Sequence, residues 1–416
     1  MMTNDDIPAY RNLINIPASE LRIGMYVAEL DRPWLETPFP LEGVLIATEG
    51  DIKQVKKYAS TVYISVGESY STPGSPIRNT VFKKEGKPFT ETGKRVNLEV
   101  SPPVEKEIKR IKKEHYGAKG MIKKLMSDKQ NWHKNIPETR RVVKSFADSI
   151  ARNQNALYWL TRIKNKNEYT AEHCLNVGIL AMVFAKHLGW EPRRIEEVGL
   201  SGMLHDVGKM NIPIEILDKP GKLSEEEFEV IKRHVLEGYK ILSSDSTLPE
   251  TVLNTSRDHH ERMNGKGYPY GKKGADLSDE AKLIAIVDTY DAITSDRVYS
   301  PAEPPTHALK VIYENSGELF DKLLSVKFIE CIGIYPPGSS VELNTGETAI
   351  VIEQAPEKKL QPKIFILPKR ETQPISEGTF LDLSNQKSFF ERKITRAIPE
   401  GRLSDIAEEV FRIIAL

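Results

Sequence analysis

The spacing of apolar and polar positions changes character several times along this chain. Over 12–70, strand-like stretches at 25–30, 43–47 and 61–66 surround one short helix-like stretch at 52–58. Pro33, Pro38 and Pro40 punctuate them as turns. This pattern predicts a small α+β domain over 1–75. Residues 71–103 are rich in Ser, Thr, Pro and Lys and read as a linker or extended loop. From 104 to 129 the pattern becomes helical and strongly basic, weakened midway by Gly117 and Gly120. A second long helix is predicted over 136–164, with Pro137 near its start and apolar residues at Val142, Val143, Phe146, Ile150, Leu157 and Leu160. The 104–164 pair reads as a connecting element or homodimer stalk with a solvated basic face; attraction to phosphate or membrane is the alternative.

Residues 165–330 read as a run of helices without clear strands. Ser224 and Glu227 fit a capping box that opens the helix carrying His234. Pro336 and Pro337 break the helical run. Strand-like stretches at 341–343 and 349–354 flank a turn at 344–347, which predicts a β-hairpin, and an amphipathic helix closes the chain at 404–416. The expected architecture is multidomain. It comprises an α+β unit over 1–75, a linker and basic helix over 76–139, an all-α helical bundle over 140–335 and a β-containing extension over 336–416.

Composition narrows the setting. Lys+Arg and Asp+Glu balance at 59 each, so no long-range field draws the chain to nucleic acid or an anionic membrane. The two cysteines, Cys174 and Cys331, lie far apart, which argues against a disulfide framework and for a reducing compartment. The polar, acidic N-terminus is unlike a signal peptide, and no apolar run approaches the roughly 20 residues of a membrane span. A cytoplasmic protein is expected. Trp34 and the Pro-rich loop around it offer a binding surface or, more simply, core and turn residues.

The chemistry concentrates between residues 173 and 288. Six of the nine histidines fall between His173 and His260. The candidate metal ligands are His173, His205, Asp206, His234, His259, His260 and Asp288. His115, His133, His187 and His307 read as surface or satisfied core residues. Imidazole and carboxylate donors suit Fe, Mn or Zn rather than a soft thiolate site. Seven ligands exceed one tetrahedral ion and suit two ions bridged by a carboxylate, with open positions for water and substrate. Neighbouring side chains on a helix diverge by roughly 100°. The adjacent His205–Asp206 pair can therefore straddle two metals, Asp206 bridging. Asp288 follows the apolar run 283–287 on a helix expected to be buried.

The strings EYTAEHCLNVG at 168–178, HDVGK at 205–209, the separate His234, HHERMNGKGYP at 259–269 and DTYDAITSDRVY at 288–299 resemble the HD-GYP family. This is a bacterial branch of the HD metal-dependent phosphohydrolases. The resemblance covers roughly 140–340 and implies an HD-type helical bundle that hydrolyses cyclic di-GMP to linear pGpG or on to GMP. It implies bacterial second-messenger signalling, of the kind that governs biofilm and motility, and signalling proteins as partners. It assigns the seven residues above as metal ligands, Asp206 and Lys209 as catalytic, and Lys209 and Arg297 as phosphate contacts. Gly267, Tyr268 and Pro269 are its signature and part of the substrate site. Two cations beside a dimetal centre fit the need to stabilise charge growing on a phosphoryl group. The expected chemistry is attack on phosphorus by a hydroxide bridging the two metals. One departure bears on metal number. Members with three metals carry Glu four residues before the first ligand histidine, and here that position is Tyr169, flanked by Glu168 and Glu172. Two divalent ions, Fe or Mn, are expected, and pGpG as product. The segment 16–43 resembles a domain of unknown function often found ahead of HD-GYP domains. Two other readings stay open: a sensor that binds cyclic di-GMP without cutting it, and a hydrolase of another cyclic dinucleotide.

Overall fold

The computed structural model describes residues 13–31, 37, 44–46, 48–65, 70–72, 75–76, 102–163, 169–219, 221–296, 302–354, 360–368, 374–386, 391–398 and 404–415. Pro33, Trp34, Pro38, Pro40, Glu168 and Arg297, named above, lie outside these residues.

The N-terminal unit is α+β, as its pattern predicts. Strands β1 (Leu13–Pro17), β2 (Tyr26–Leu30), β3 (Val44–Leu45) and β4 (Thr61–Ser65) form an antiparallel sheet in the order β1-β4-β2-β3. Helix α1 (Glu49–Tyr58) opens on a capping box between Thr48 and Asp51 and buries Ile52 and Val55 against Val27, Val44, Ile46 and Val62. A two-stranded ribbon, β5 (Tyr70–Thr72) and β6 (Ser75–Pro76), follows.

The basic helix α2 (Val104–Ser127) is continuous. Gly117 and Gly120 lie on its exposed side, where an added Cβ would meet nothing within 4 Å, so neither interrupts it. Nor is α2 a bridging segment. Its apolar face (Val104, Ile108, Ile111, Ala118, Ile122, Leu125) belongs to the same core as the helices that follow. Helix α3 (Ile136–Arg162) packs along it and kinks at Asn153, whose φ of −155° and ψ of 104° leave the helical region. The Asn153 amide donates to the Pro102 carbonyl at 2.9 Å and to Glu353 at 3.1 Å, tying the kink to the start of α2. His115 on α2 is buried and stacks on Phe146 of α3, and burial pushes its imidazole down to about 3.

Among the described residues, nine further helices build the bundle: α4 (Tyr169–His187), α5 (Pro192–Leu204), α6 (Ile214–Leu217), α7 (Glu225–Lys232), α8 (His234–Leu242), α9 (Glu250–Asp258), α10 (Asp279–Ile293), α11 (Pro305–Glu314) and α12 (Lys322–Ile332). The capping box at Ser224 and Glu227 forms, but it opens α7, not the helix carrying His234. The chain turns at Arg233, and His234 begins a new helix. Helix α4 is buried on every side over 171–185, the mark of a central element. It meets α5 through glycines: a Cβ on Gly202 would lie 2.7 Å from the Gly178 Cα. That closeness brings His173 on α4 beside His205 at the end of α5.

Past the prolines the predicted hairpin forms as β7 (Ser340–Leu343) and β8 (Thr348–Glu353), with Gly346 at φ +78° in the turn. It is part of a larger five-stranded antiparallel sheet, with β9 (Lys363–Ile366), β10 (Thr379–Asp382) and β11 (Ile394–Ala397), in the order β10-β9-β8-β7-β11. Along β8 the side chains alternate: Ile350 and Ile352 join the helical core, while Ala349 and Val351 join the sheet's own core. The Trp159 indole of α3 donates to the Ile352 carbonyl at 2.7 Å. The last helix, α13 (Ser404–Ala415), returns to the bundle and buries Val410, Phe411 and Ile414. No helix among the described residues is long and apolar enough to cross a membrane.

The buried carboxylate of Glu107 joins α2 to α3. It accepts from Ser149 Oγ at 2.7 Å and from Arg152 Nε and Nη2 at 3.0 and 2.7 Å. Burial alone would raise its pKa, but the hydrogen bonds from Arg152 and Ser149 outweigh this and hold it below the ordinary 4.5. A depressed carboxyl stabilises the fold above its unfolded pKa and loses that contribution as pH falls through the folded value. Glu107→Ala should therefore cost about 2 kcal/mol at pH 7. In denaturant titrations the gap to wild type should narrow steadily below about pH 4.

Candidate metal centre

Five of the seven candidate ligands stand at helix ends or just past them. Helix α5 stops at Leu204, and the chain tightens into a 3₁₀ turn over Val207–Asn211, so His205 and Asp206 occupy the junction. His234 is the first residue of α8, and His259 closes α9. His173 and Asp288 come from within α4 and α10. All seven expected ligands meet in one buried site, with His260 the half-buried member.

Asp206 is the centre. Its Oδ2 lies 3.3 Å from His205 Nε2 and 3.8 Å from His173 Nε2. Its Oδ1 lies 3.2 Å from His234 Nε2 and 3.9 Å from His259 Nε2. Asp288 Oδ1 faces the first group, 3.0 Å from His173 Nε2 and 3.9 Å from His205 Nε2. The donors thus fall into two sets that share Asp206: His173 and His205 in one, His234, His259 and His260 in the other.

Backbone carbonyls decide the tautomers. The last carbonyls of a helix lack intrahelical partners. His205 Nδ1 donates to the Gly202 carbonyl at 2.7 Å, His234 Nδ1 to Ile231 at 2.7 Å and His259 Nδ1 to Ser256 at 2.9 Å. A carbonyl only accepts, so each neutral ring carries its proton on Nδ1 and presents a bare lone pair at Nε2. These three Nε2 atoms and Asp206 Oδ1 are buried with no hydrogen-bond partner. Leaving a buried polar atom unsatisfied costs about 1–3 kcal/mol. Four lone-pair donors aimed at common points fit divalent cations and little else. His259 and His260 are held well below the usual histidine pKa, first by burial and then by neighbouring imidazoles, so they stay neutral as ligands must.

His173 is oriented differently. Its Nδ1 pairs with Asp291 Oδ2 at 2.8 Å, and Asn176 and Ser295 in turn hold Asp291 at 3.2 Å each. Burial would lower the His173 pKa, but Asp288 and Asp291 outweigh it and push it to about 9. Burial would likewise raise Asp206, yet the Lys209 ammonium outweighs it and holds the carboxyl well below the carboxylate range. Lys209, one turn on, pairs directly with Asp206 Oδ2.

The Gly267–Pro269 loop closes over one end. A Cβ on Gly267 would collide with the backbone of Glu261 and Arg262, so only glycine lets the loop pass. Glu261 accepts from the backbone N–H groups of Tyr270 and Lys272 at 2.7 and 2.9 Å and anchors the loop. Tyr268 then stacks on the ring of His260, centroids 4.7 Å apart at 28°. Glu172, beside His173 in sequence, pairs with Lys119 of α2.

The HD domain family model matches residues 144–324. Flanking matches are a domain of unknown function (DUF3391) at 13–134 and a KOW domain associated with HD domain at 340–401. Over 358 residues the chain is 32% identical to the cyclic di-GMP phosphodiesterase PA4108 of Pseudomonas aeruginosa, covering 85% of each protein. The chain belongs to the HD-GYP family. It is also similar to a cyclic di-GMP phosphodiesterase of Thermotoga maritima, 35% identical over 39% of this chain and 44% of that protein. A 3'3'-cGAMP-specific phosphodiesterase 1 of Vibrio cholerae is 37% identical over 32% of this chain and 31% of that protein. The chain thus spans less than half the length of these last two relatives. The HD domain match falls within the helical bundle, and the KOW match falls on the five-stranded sheet.

Sequence reasoning did not assign Asp291 its place as the carboxylate behind His173, although Asp291 stands three residues after Asp288, on the same helical face. Glu261 stands in the HHERMNGKGYP string, but its place as the anchor of the Gly267–Pro269 loop was not legible there.

Removing Asp206 takes a ligand from both sets, whereas removing His234 takes one from a single set. Metal analysis of purified Asp206→Ala should find both ions lost, while His234→Ala should retain about one. Asp291→Asn removes no ligand but unsettles His173, and should weaken metal affinity about 10- to 100-fold in a competition titration with a chelator.

Proposed function

We propose that this chain is a metal-dependent phosphodiesterase that hydrolyses cyclic di-GMP to linear pGpG. The Asp206-centred cluster carries this proposal, because every ligand is present in a chain matching a named cyclic di-GMP phosphodiesterase over most of its length. His173, His205, Asp206 and Asp288 would hold one ion, and Asp206, His234, His259 and His260 a second. Bound divalent ions would lower the pKa of water and neutralise phosphate oxygens. The donor set suits Fe or Mn. Two ions are favoured over three because Tyr169 stands where a further glutamate would be needed and Glu172 is paired with Lys119.

Lys209 supplies the cation on the substrate side. Its ammonium is held against Asp206, and although burial would lower its pKa, that carboxylate raises it, so the charge is secure at neutral pH. With three donors and one used on Asp206, it can hydrogen-bond the phosphate and strengthen that bond as negative charge grows. Tyr268, its pKa raised by burial and by Asp206 and Asp288, stays protonated beside His260. Arg297 is a second phosphate contact in this scheme. Cys174 and Cys331 are buried thiols outside any disulfide, which supports a cytoplasmic setting. A second substrate, a mixed cyclic dinucleotide, is favoured by the Vibrio cholerae relative.

Purified protein loaded with Mn or Fe(II) should convert cyclic di-GMP to pGpG, resolved by chromatography, and lose activity to a chelator. Cyclic di-GMP bound but uncut by fully metallated protein would point to a sensor. Lys209→Ala should lower kcat/KM about 100- to 1,000-fold, as removal of one charge-stabilising donor does, with both ions retained in metal analysis.

A further inference from the structure

The HD-GYP ligands are buried except at His260, so solvent meets the metal centre on that side. Tyr268 covers the His260 ring there. Beyond Tyr268 stands Phe228 of α7, its ring 6.4 Å from that of Tyr268 and nearly perpendicular at 83°. Phe228 is 45% exposed. Lys232, one turn further along α7, places its ammonium 5.2 Å from the Phe228 ring and 5.8 Å from the Tyr268 ring. Glu229 pairs with Lys232 and fixes it there. A single exposed apolar residue needs no explanation. This one continues a line of rings that runs from a metal ligand to solvent, with a cation beside it.

We infer that Phe228 and Lys232 are the base-recognition shelf of the site, Phe228 stacking on a guanine of the substrate and Lys232 donating to that guanine's O6 and N7. This rests on the cyclic dinucleotide reading above. Any base offers a face for stacking on an aromatic ring. The edge discriminates. Guanine presents two acceptors, N7 and O6, whereas adenine replaces O6 with an N6 amino donor. An ammonium has donors only. It therefore complements guanine and leaves the adenine amino group without a partner. No bond is made or broken at the shelf: it orients the dinucleotide so that one phosphodiester reaches the Asp206 centre.

The test uses the full chain loaded with Mn, the variants Phe228→Ala, Phe228→Trp and Lys232→Met, and three substrates. These are cyclic di-GMP, cyclic di-AMP and methyl 4-nitrophenyl phosphate, a base-free diester whose only ring departs with the product. Phe228→Ala should raise KM for cyclic di-GMP about tenfold, the scale of one lost base–aromatic stack. Its loss on the base-free diester should be at least about fivefold smaller, and Phe228→Trp should recover most of the affinity. Lys232→Met should narrow the preference for cyclic di-GMP over cyclic di-AMP about tenfold. Metal content measured on each variant checks that the centre is intact. Equal losses on the nucleotide and the base-free diester, or an unchanged KM in Phe228→Ala, would overturn the shelf while leaving the phosphodiesterase standing. Wild-type protein that cleaves the base-free diester but not cyclic di-GMP would instead overturn the substrate reading, and the guanine assignment with it.

Discussion

Three hydrogen bonds from histidine Nδ1 to helix-end carbonyls underlie the rest of this structure. Gly202, Ile231 and Ser256 each offer a carbonyl in the last turn of a helix, where the regular intrahelical ladder ends. The imidazole three residues later supplies the donor. A carbonyl at a helix end thereby gains a side-chain donor, the tautomer is set, and Nε2 is turned inward. Repeating the device at three helix ends around one aspartate produces a set of buried lone pairs that only cations can satisfy. The same geometry therefore finishes the helices and builds the centre.

The bundle exists to bring those ends together. Helix α4, buried on all sides over 171–185, is its axis, and the glycine contact with α5 sets the approach of His173 to His205. Helices α2 and α13, far apart in the chain, complete the core around it. Asp291 behind His173 and Glu261 behind the Gly267–Pro269 loop give the site a supporting layer of carboxylates. Of these, one raises the basicity of a ligand and the other holds a loop over a ligand ring. Local unfolding at α2 would disturb α4 through the Lys119–Glu172 pair, next to His173.

Much of the fold was legible because burial imposes a period. The alternation at 61–66 and the turn at 344–347 predicted strands that form, and the apolar spacing of 136–164 predicted α3 nearly to its ends. The basic helix was legible as a helix but not as part of the bundle, since a charged face says nothing of what the opposite face meets. The helix carrying His234 was drawn through Arg233, where the chain in fact turns, because a single tight residue leaves no mark on the apolar pattern. The five-stranded sheet was visible only as its one hairpin, because β9, β10 and β11 are short and lie far from their partners in sequence.

The sequence by itself determined which residues could bind metal, because imidazole and carboxylate are ligands by their chemistry wherever they stand. It also determined the family, through motifs kept in order over half the chain. Only the tertiary structure decided which donors face one another, that Asp206 divides its two oxygens between the two sets, and that Asp291 stands behind His173. It alone placed Phe228 and Lys232 beside Tyr268. These are distances between residues tens of positions apart. They arise from how helices pack, which no local pattern encodes.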